Sequence, residues 1–292
     1  KIFDTPRKMR IFTWSGERDT ILTPKDSVRY YKYFLRAGLL AIEPSTGHVK
    51  AYVGGHNFKY FKYDQVSQGK RQVGSTVKPF LYTLAMQEGD KPCDMVYNSE
   101  ITFPTRDADG NDTTWTPRNT SSPKMIDKKV TLKWGLAHSS NYVSAYLIKK
   151  YNPQSVIDIM HKMGITSKVD PVPSVIYGTS DISLLEMAGA FNTFTNKGVY
   201  IEPEFVSKIE DKNGNELATF HPQQVEAISE NTAYLMVKLL QGVVDRGTGN
   251  RLRWLFNFSA DMGGKTGTTQ NQSDGWYIGI TPKLTAGVCV GA

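Results

Sequence analysis

Strand-type alternation is confined to the two ends of this chain, and helix-type spacing fills what lies between. Near the start, Leu39 to Gly55 reads as a hairpin, with Pro44-Ser45-Thr46-Gly47 as its turn and Val49, Ala51 and Val53 alternating behind it. At the other end three strand-like runs follow closely: Lys265 to Thr269, Trp276 to Ile280 and Thr285 to Val290, separated by Gly, Asn, Asp and Pro. Connections that short allow only antiparallel pairing. One mixed domain whose sheet is assembled from both ends of the chain satisfies this distribution. A chain of 292 residues is long enough for it, since a single core of that size buries roughly three quarters of the unfolded surface.

The middle supplies helices. Thr23-Pro24-Lys25-Asp26 is a helix start, with Thr as cap and Pro in the first turn, and the helix is expected to run through Tyr30, Phe34 and Leu35 to Gly38. Ser75 to Glu88 opens after Gly74 and places Val77, Leu81, Leu84 and Ala85 on one face. Thr131 to Ala137 and Tyr142 to Tyr151 read as helices around a polar joint, His138-Ser139-Ser140-Asn141. Ser183-Leu184-Leu185-Glu186 is a capping box leading to Phe191 and Phe194, and Ser229 to Val244 is helical. Asn98 to Lys124, rich in Pro, Asp, Asn and Thr, is expected to be a long loop.

Composition removes several classes of function. With 39% hydrophobic and 22% charged residues the chain is neither disordered nor a coiled coil. The net charge of +7 invites an anionic partner, but no basic stripe with interleaved aromatics supports nucleic-acid binding. Lys59-Tyr60-Phe61-Lys62-Tyr63 comes nearest and reads as an exposed loop. The five histidines show no metal-ligand spacing, so no metal and no cofactor is expected, and no G-x-x-x-x-G-K-[ST] phosphate cradle occurs. Cys93 and Cys289 are expected as free thiols. The longest apolar run, about six residues around Ala37 to Ile42, is far short of the roughly twenty that cross a membrane. A chain opening on Lys1 reads as an excised segment, so a missing anchor says little of an intact protein.

Three short motifs carry the chemistry: Ser75-Thr76-Val77-Lys78 (S-x-x-K), Ser139-Ser140-Asn141 (S-x-N) and Lys265-Thr266-Gly267-Thr268 (K-T-G-T). An amine one helical turn from a serine can reach its hydroxyl, and this separates the first motif from two decoys. Ser67 to Lys70 contains Gly69, and Ser121 to Lys124 contains Pro123. Ser229-Glu230-Asn231, a second S-x-N, reads as a helix cap. Gly178-Thr179-Ser180 lacks the closing Gly of a nucleophile elbow, and Gly247-Thr248-Gly249 reads as a turn. S-x-x-K, S-x-N and K-T-G in that order form the set carried by penicillin-binding proteins and serine β-lactamases.

The chain resembles the transpeptidase domain of the class A (bifunctional) penicillin-binding proteins. Met9 to Trp14, Gly47 to Gly55, Gly74 to Phe80, Leu185 to Ala188 and Gly264 to Thr269 running to Asp274-Gly275-Trp276 all look like family segments. The resemblance implies an α/β (α+β) fold like that of penicillin-binding proteins and serine β-lactamases, a central antiparallel sheet with helices on both faces. Residues 1–22 would be an N-terminal linker or strand segment and 23–292 the transpeptidase domain. It implies D-Ala-D-Ala transpeptidation of peptidoglycan stem peptides and acylation by β-lactams, with D,D-carboxypeptidation or a non-turnover β-lactam sensor as alternatives. Ser75 would be the nucleophile, Lys78 its base, Ser139 the proton relay and Asn141 the holder of Lys78 and of the substrate amide. Lys265, Thr266, Gly267 and Thr268 would bind the terminal carboxylate, and the N–H groups of Ser75 and Thr268 would form the oxyanion hole. A free lysine titrates near 10.4 and a useful base near 7. The site must therefore favour neutral Lys78 by burial and by the second amine, Lys265. Glu186-Met187-Ala188-Gly189 does not match the E-x-x-L-N segment of class A β-lactamases, so slow deacylation is expected and Glu186 reads as a cap. The chain departs from the family in Val73, where Pro is common, and lacks the glycosyltransferase half and membrane anchor. Its stop at Ala292 leads one to expect an incomplete sheet edge. A bacterial envelope location, on the periplasmic side of the inner membrane, follows from the same resemblance.

Overall fold

The computed structural model describes residues 1–106, 109–119 and 122–291. Ser121 of the S-x-x-K decoy, part of the 98–124 segment and Ala292 lie outside the described residues. The chain opens with an antiparallel hairpin, β1 (Arg7–Thr13) and β2 (Gly16–Leu22). Helix α1 (Pro24–Lys32) starts as expected, with the Thr23 side chain accepting from the Asp26 N–H. It ends at Lys32, ahead of the expected stop. Gly38 lies inside strand β3 (Arg36–Ile42), where a Cβ would meet Val66 at 3.1 Å and the Gln65 carbonyl at 3.2 Å. A chain crossing close above the strand, and no helix terminus, accounts for that glycine. Strand β4 (Val49–Val53) completes the predicted hairpin.

Strand β5 (Lys70–Gln72) leads through a single 3-10 turn, Gly74–Val77, into α2 (Lys78–Gln87). The sequence suggests an amphipathic helix, but every residue from Lys78 to Met86 is buried. A helix apolar nearly all round belongs in the middle of a core. Strand β6 (Met95–Tyr97) precedes a hairpin, β7 (Phe103–Arg106) and β8 (Asp112–Trp115), inside the segment expected to be a loop. Phe103 opposite Trp115, with rings 5.8 Å apart, pins that register. Strand β9 (Lys129–Thr131) pairs with β6.

Helices α3 (Leu132–Ala137), α4 (Asn141–Lys150) and α5 (Pro153–Lys162) follow. Sequence reading overlooked α5, although Asn152 caps it and Pro153 stands in its first turn, the same start as at Thr23-Pro24. Strand β10 (Asp181–Ser183) pairs with β5 and runs into α6 (Leu184–Thr195), whose capping box forms as expected. Four short strands, β11 (Val199–Ile201), β12 (Lys208–Glu210), β13 (Glu216–Thr219) and β14 (Gln224–Glu226), lead to α7 (Glu230–Arg246), capped by Ser229, and α8 (Arg251–Trp254). The last strands are β15 (Gly263–Thr268), β16 (Asp274–Thr281) and β17 (Leu284–Gly291).

These strands and the early hairpin form one five-stranded antiparallel sheet in the order β15-β16-β17-β3-β4, so both ends of the chain build it, as expected. Helix α6 packs against β3, β16 and β17, with Leu184 reaching Gly287. Leu39 and Val53, on the opposite face, are exposed. Phe80, Leu81, Leu136, Phe191 and Leu240 are fully buried between helices and sheet. Each contributes about 1.5–3 kcal/mol. β15 lies at the sheet edge, beside the 3-10 turn and α7. Cys93 is exposed, Cys289 is buried, and both are free thiols.

Candidate active site

Three chain segments meet where α2 begins. Gly74 takes a left-handed φ of +53°, and a Cβ on it would lie 2.7 Å from the Thr268 carbonyl oxygen and 3.1 Å from the Thr268 nitrogen. From the other side, a Cβ on Gly267 would lie 2.6 Å from the Val73 carbonyl oxygen. Glycine at both positions lets the edge strand close on the serine turn. Ser75 directly follows Gly74, Lys78 lies three residues further on, and Lys78 is completely buried.

The joint between α3 and α4 contributes Ser139. Its backbone adopts φ +54°, outside the region most side chains favour, and is held by its N–H donating to the Leu136 carbonyl at 3.0 Å. Ser140, the cap of α4, donates to Asn98 Oδ1 at 2.6 Å. Thus anchored, the joint turns Ser139 toward two lysines. Lys78 Nζ donates to the Ser139 carbonyl at 2.7 Å and to Asn141 Oδ1 at 2.6 Å, and stands 3.3 Å from Ser139 Oγ. Lys265 Nζ donates to the same Oγ at 3.1 Å and to the Thr266 carbonyl at 2.9 Å. One hydroxyl therefore bridges two buried amines.

Burial, and secondarily the neighbouring Lys265, holds Lys78 well below the usual lysine range. Burial alone pushes Lys265 down to about 7. Among the described residues neither amine has a carboxylate as a hydrogen-bond partner. A neutral amine has two N–H donors. On Lys78 the two carbonyl-type acceptors, Ser139 O and Asn141 Oδ1, occupy both, and the lone pair is left for a hydroxyl. No hydrogen bond joins Ser75 Oγ to Lys78 among the described residues. Such bonds commonly tighten only when substrate is seated.

Several residues at this site have no sequence signal. Asn141 Nδ2 donates to the Arg118 carbonyl at 2.6 Å, and Asn119 Oδ1 accepts from the Asn141 N–H at 3.1 Å. The polar 116–119 stretch thus closes over the second motif, and part of the Asn141 amide expected for substrate is already engaged. Tyr177 donates its hydroxyl to the Asn141 carbonyl at 3.1 Å, and its ring centre lies 5.9 Å from Lys78 Nζ. Thr248, expected only in a turn, shares a 2.6 Å hydrogen bond with Thr266 Oγ1, and its N–H donates to the Ala137 carbonyl. Thr266 is half-buried, Gly267 buried and Thr268 exposed at the strand's end. Glu186 accepts from Thr166, Ser167 and Ser183, which more than offset its burial and lower it to about 2. It is locked in its cap, as expected. Ser67 Oγ and Lys70 Nζ form no hydrogen bond with each other. His138 to Ser140 form the polar joint predicted from sequence, while Asn141, expected within it, is the first residue of α4.

A family model for the penicillin-binding protein transpeptidase domain matches residues 37–292. The chain belongs to the penicillin-binding protein transpeptidase family. A second model, for the penicillin-binding protein middle domain, matches residues 1–35. Penicillin-binding protein 1A of Aquifex aeolicus is 31% identical over 259 residues, spanning 88% of this chain and 34% of its own length. Penicillin-binding protein 2D of Bacillus subtilis is 31% identical over 268 residues, spanning 88% and 37%. This transpeptidase chain thus spans about a third of the length of the curated relatives it matches. Among solved structures, penicillin-binding protein 1A from Haemophilus influenzae superposes with a TM-score of 0.79 at 25% identity, covering 88% of this chain and 43% of that one. PonA1 from Mycobacterium tuberculosis in complex with penicillin V gives 0.72 at 26% identity, covering 92% and 73%.

Proposed function

We propose that this domain is a serine D-Ala-D-Ala transpeptidase that cross-links peptidoglycan stem peptides through an acyl-enzyme, and that β-lactams acylate the same serine. The observation that carries the reading is the Ser139 hydroxyl held between two buried lysines, beside the turn that bears Ser75. Ser75 Oγ attacks the carbonyl of the penultimate D-alanine and its proton passes to the Lys78 lone pair. Ser139 hands a proton to the departing D-alanine amine and is resupplied from Lys78. An amine of a second stem peptide then takes the acyl group, giving the cross-link; water gives carboxypeptidation instead. The Ser75 and Thr268 N–H groups serve as the oxyanion hole, and losing one such donor typically costs about 10²–10³ in rate. Lys265, Thr266 and Thr268 take the terminal carboxylate. The edge position of β15 supports an extended peptide laid alongside it. The domain acts in the bacterial cell envelope, on the periplasmic face, with a glycosyltransferase domain in the full-length chain. Residues 23–292 form the catalytic unit and 1–22 its N-terminal segment.

Intact-mass measurement with penicillin tests this. The mass rises by one drug molecule in the wild type and stays unchanged in Ser75→Ala. Because Glu186 is committed to its cap, the adduct persists. An equal increase in Ser75→Ala, or no adduct on folded wild type, refutes the assignment. Turnover of a D-Ala-D-Ala peptide separates a transpeptidase from a sensor.

A further inference from the structure

In the stretch read from sequence as an exposed basic-aromatic loop, Lys59, Lys62 and Tyr63 are exposed as expected, but Phe61 is not. Phe61 is buried in a cluster with Phe12, Tyr31 and Phe34, with ring centres 5.3–5.7 Å from its own. Phe34 and Phe61 of that cluster line a cavity of about 500 Å³, within the size range of small-ligand sites. Lys32, Arg36, His56, Lys62, Lys70 and Arg71 line the cavity, and among the described residues no Asp or Glu does. Arg71 pairs with Asp274 at 2.7 Å, but Lys32, Lys62 and Lys70 form no ion pair among the described residues.

Arg36 is the anchor. Its guanidinium lies 4.4 Å from the centre of the Phe61 ring, and Nη2 donates to the Tyr31 carbonyl at 3.2 Å. Its Nη1 is buried and has no hydrogen-bond partner among the described residues. A buried guanidinium donor left unsatisfied is costly, and such groups usually face a missing water or ion. Burial and the nearby Arg71 charge also disfavour its ionised form. A cavity that gathers this much positive charge beside aromatic rings suits an anion with several oxygens.

We infer that this cavity is an oxyanion site, taking a phosphate-type group either free or attached to a ring that rests on these aromatic side chains. The ring half follows from Phe34, Tyr60 and Phe61 lining the same space as the cations. None of its lining residues belongs to the Ser75 site, and its occupancy is measurable without any acylation chemistry.

Calorimetric titration of the folded chain at low salt tests it, with inorganic phosphate, glucose 1-phosphate and uncharged glucose as probes. Both phosphates bind and glucose does not, and raising the salt weakens binding. Tighter binding of glucose 1-phosphate identifies a ring-bearing ligand, and equal binding a free anion; both support the site. Arg36→Gln weakens phosphate binding at least tenfold. Since Arg36 also packs on Phe61, the exposed Lys62→Gln and Lys70→Gln are measured too, and each weakens binding several-fold while Lys149→Gln leaves it unchanged. No binding to the wild type, or a loss in Lys149→Gln equal to that in Lys62→Gln and Lys70→Gln, overturns the inference.

Discussion

Replacing Lys265 with Met should change the pH dependence of stability in a calculable way. The amine is fully buried and titrates near 7 in the fold, against an ordinary 10.5. Between those values the unfolded chain binds the proton and the folded chain does not. Stability therefore rises with pH across that window, is complete above it, and is lost as pH falls toward 7. At about 1.4 kcal/mol per pH unit, the wild type should lose about 3 to 4 kcal/mol between pH 10 and pH 7 from this group alone. Met fills a similar volume without titrating, so Lys265→Met escapes that loss. It also removes the charge that disfavours ionised Lys78, which flattens the profile in the same direction. Urea unfolding of both proteins at the two pH values gives the comparison. The variant's advantage should be several kcal/mol larger at pH 7 than at pH 10. A difference independent of pH would refute the account of Lys265 as an amine neutralised by burial.

Two further substitutions probe the same cleft. Gly267→Ala drives a Cβ to 2.6 Å from the Val73 carbonyl. It should cost about 1–3 kcal/mol and lower the melting temperature by roughly 2–10 °C, and a melting curve superposing on the wild type contradicts the close strand-to-turn contact. Tyr177→Phe loses one hydrogen bond to Asn141, about 0.5–1.5 kcal/mol, and keeps the ring near Lys78. Tyr177→Ala opens Lys78 to water, so the amine regains protons more readily and the acid limb of the acylation-rate profile moves to higher pH. Stopped-flow acylation by a chromogenic β-lactam reads both, and an unmoved limb in the Ala variant counts against Tyr177 as a shield.

The sheet and most helices were legible because their signals are local. Caps at Thr23, Ser183 and Ser229 and the strand alternation near both ends each need only a few neighbouring residues. The three motifs were legible because each is contiguous, and the fold brings Lys78, Ser139, Asn141 and Lys265 into one hydrogen-bonded group beside Ser75. What escaped is tertiary. Arg118 contributes only its carbonyl, so its side-chain identity carried no information. Thr248 and Tyr177 reach the site through packing between elements distant in sequence. Phe61 looked exposed because its polar neighbours set the local pattern, while its burial comes from Phe12, Tyr31 and Phe34. Gly38 looked like a helix stop because the chain passing over it is more than twenty residues away.

Strand β17 lies between β16 and β3, pairing Gly287 with Leu40. A ribosome releases β3 and β4 long before any partner for the free side of β3 exists. That early hairpin must wait, one flank unpaired, while the helices condense around α2. Contacts spanning so much of the chain form slowly, and an unpaired strand flank is prone to join a neighbouring molecule. Lys265 arrives only with the closing strands, so nascent or truncated forms carry Ser75 and Lys78 without the second amine.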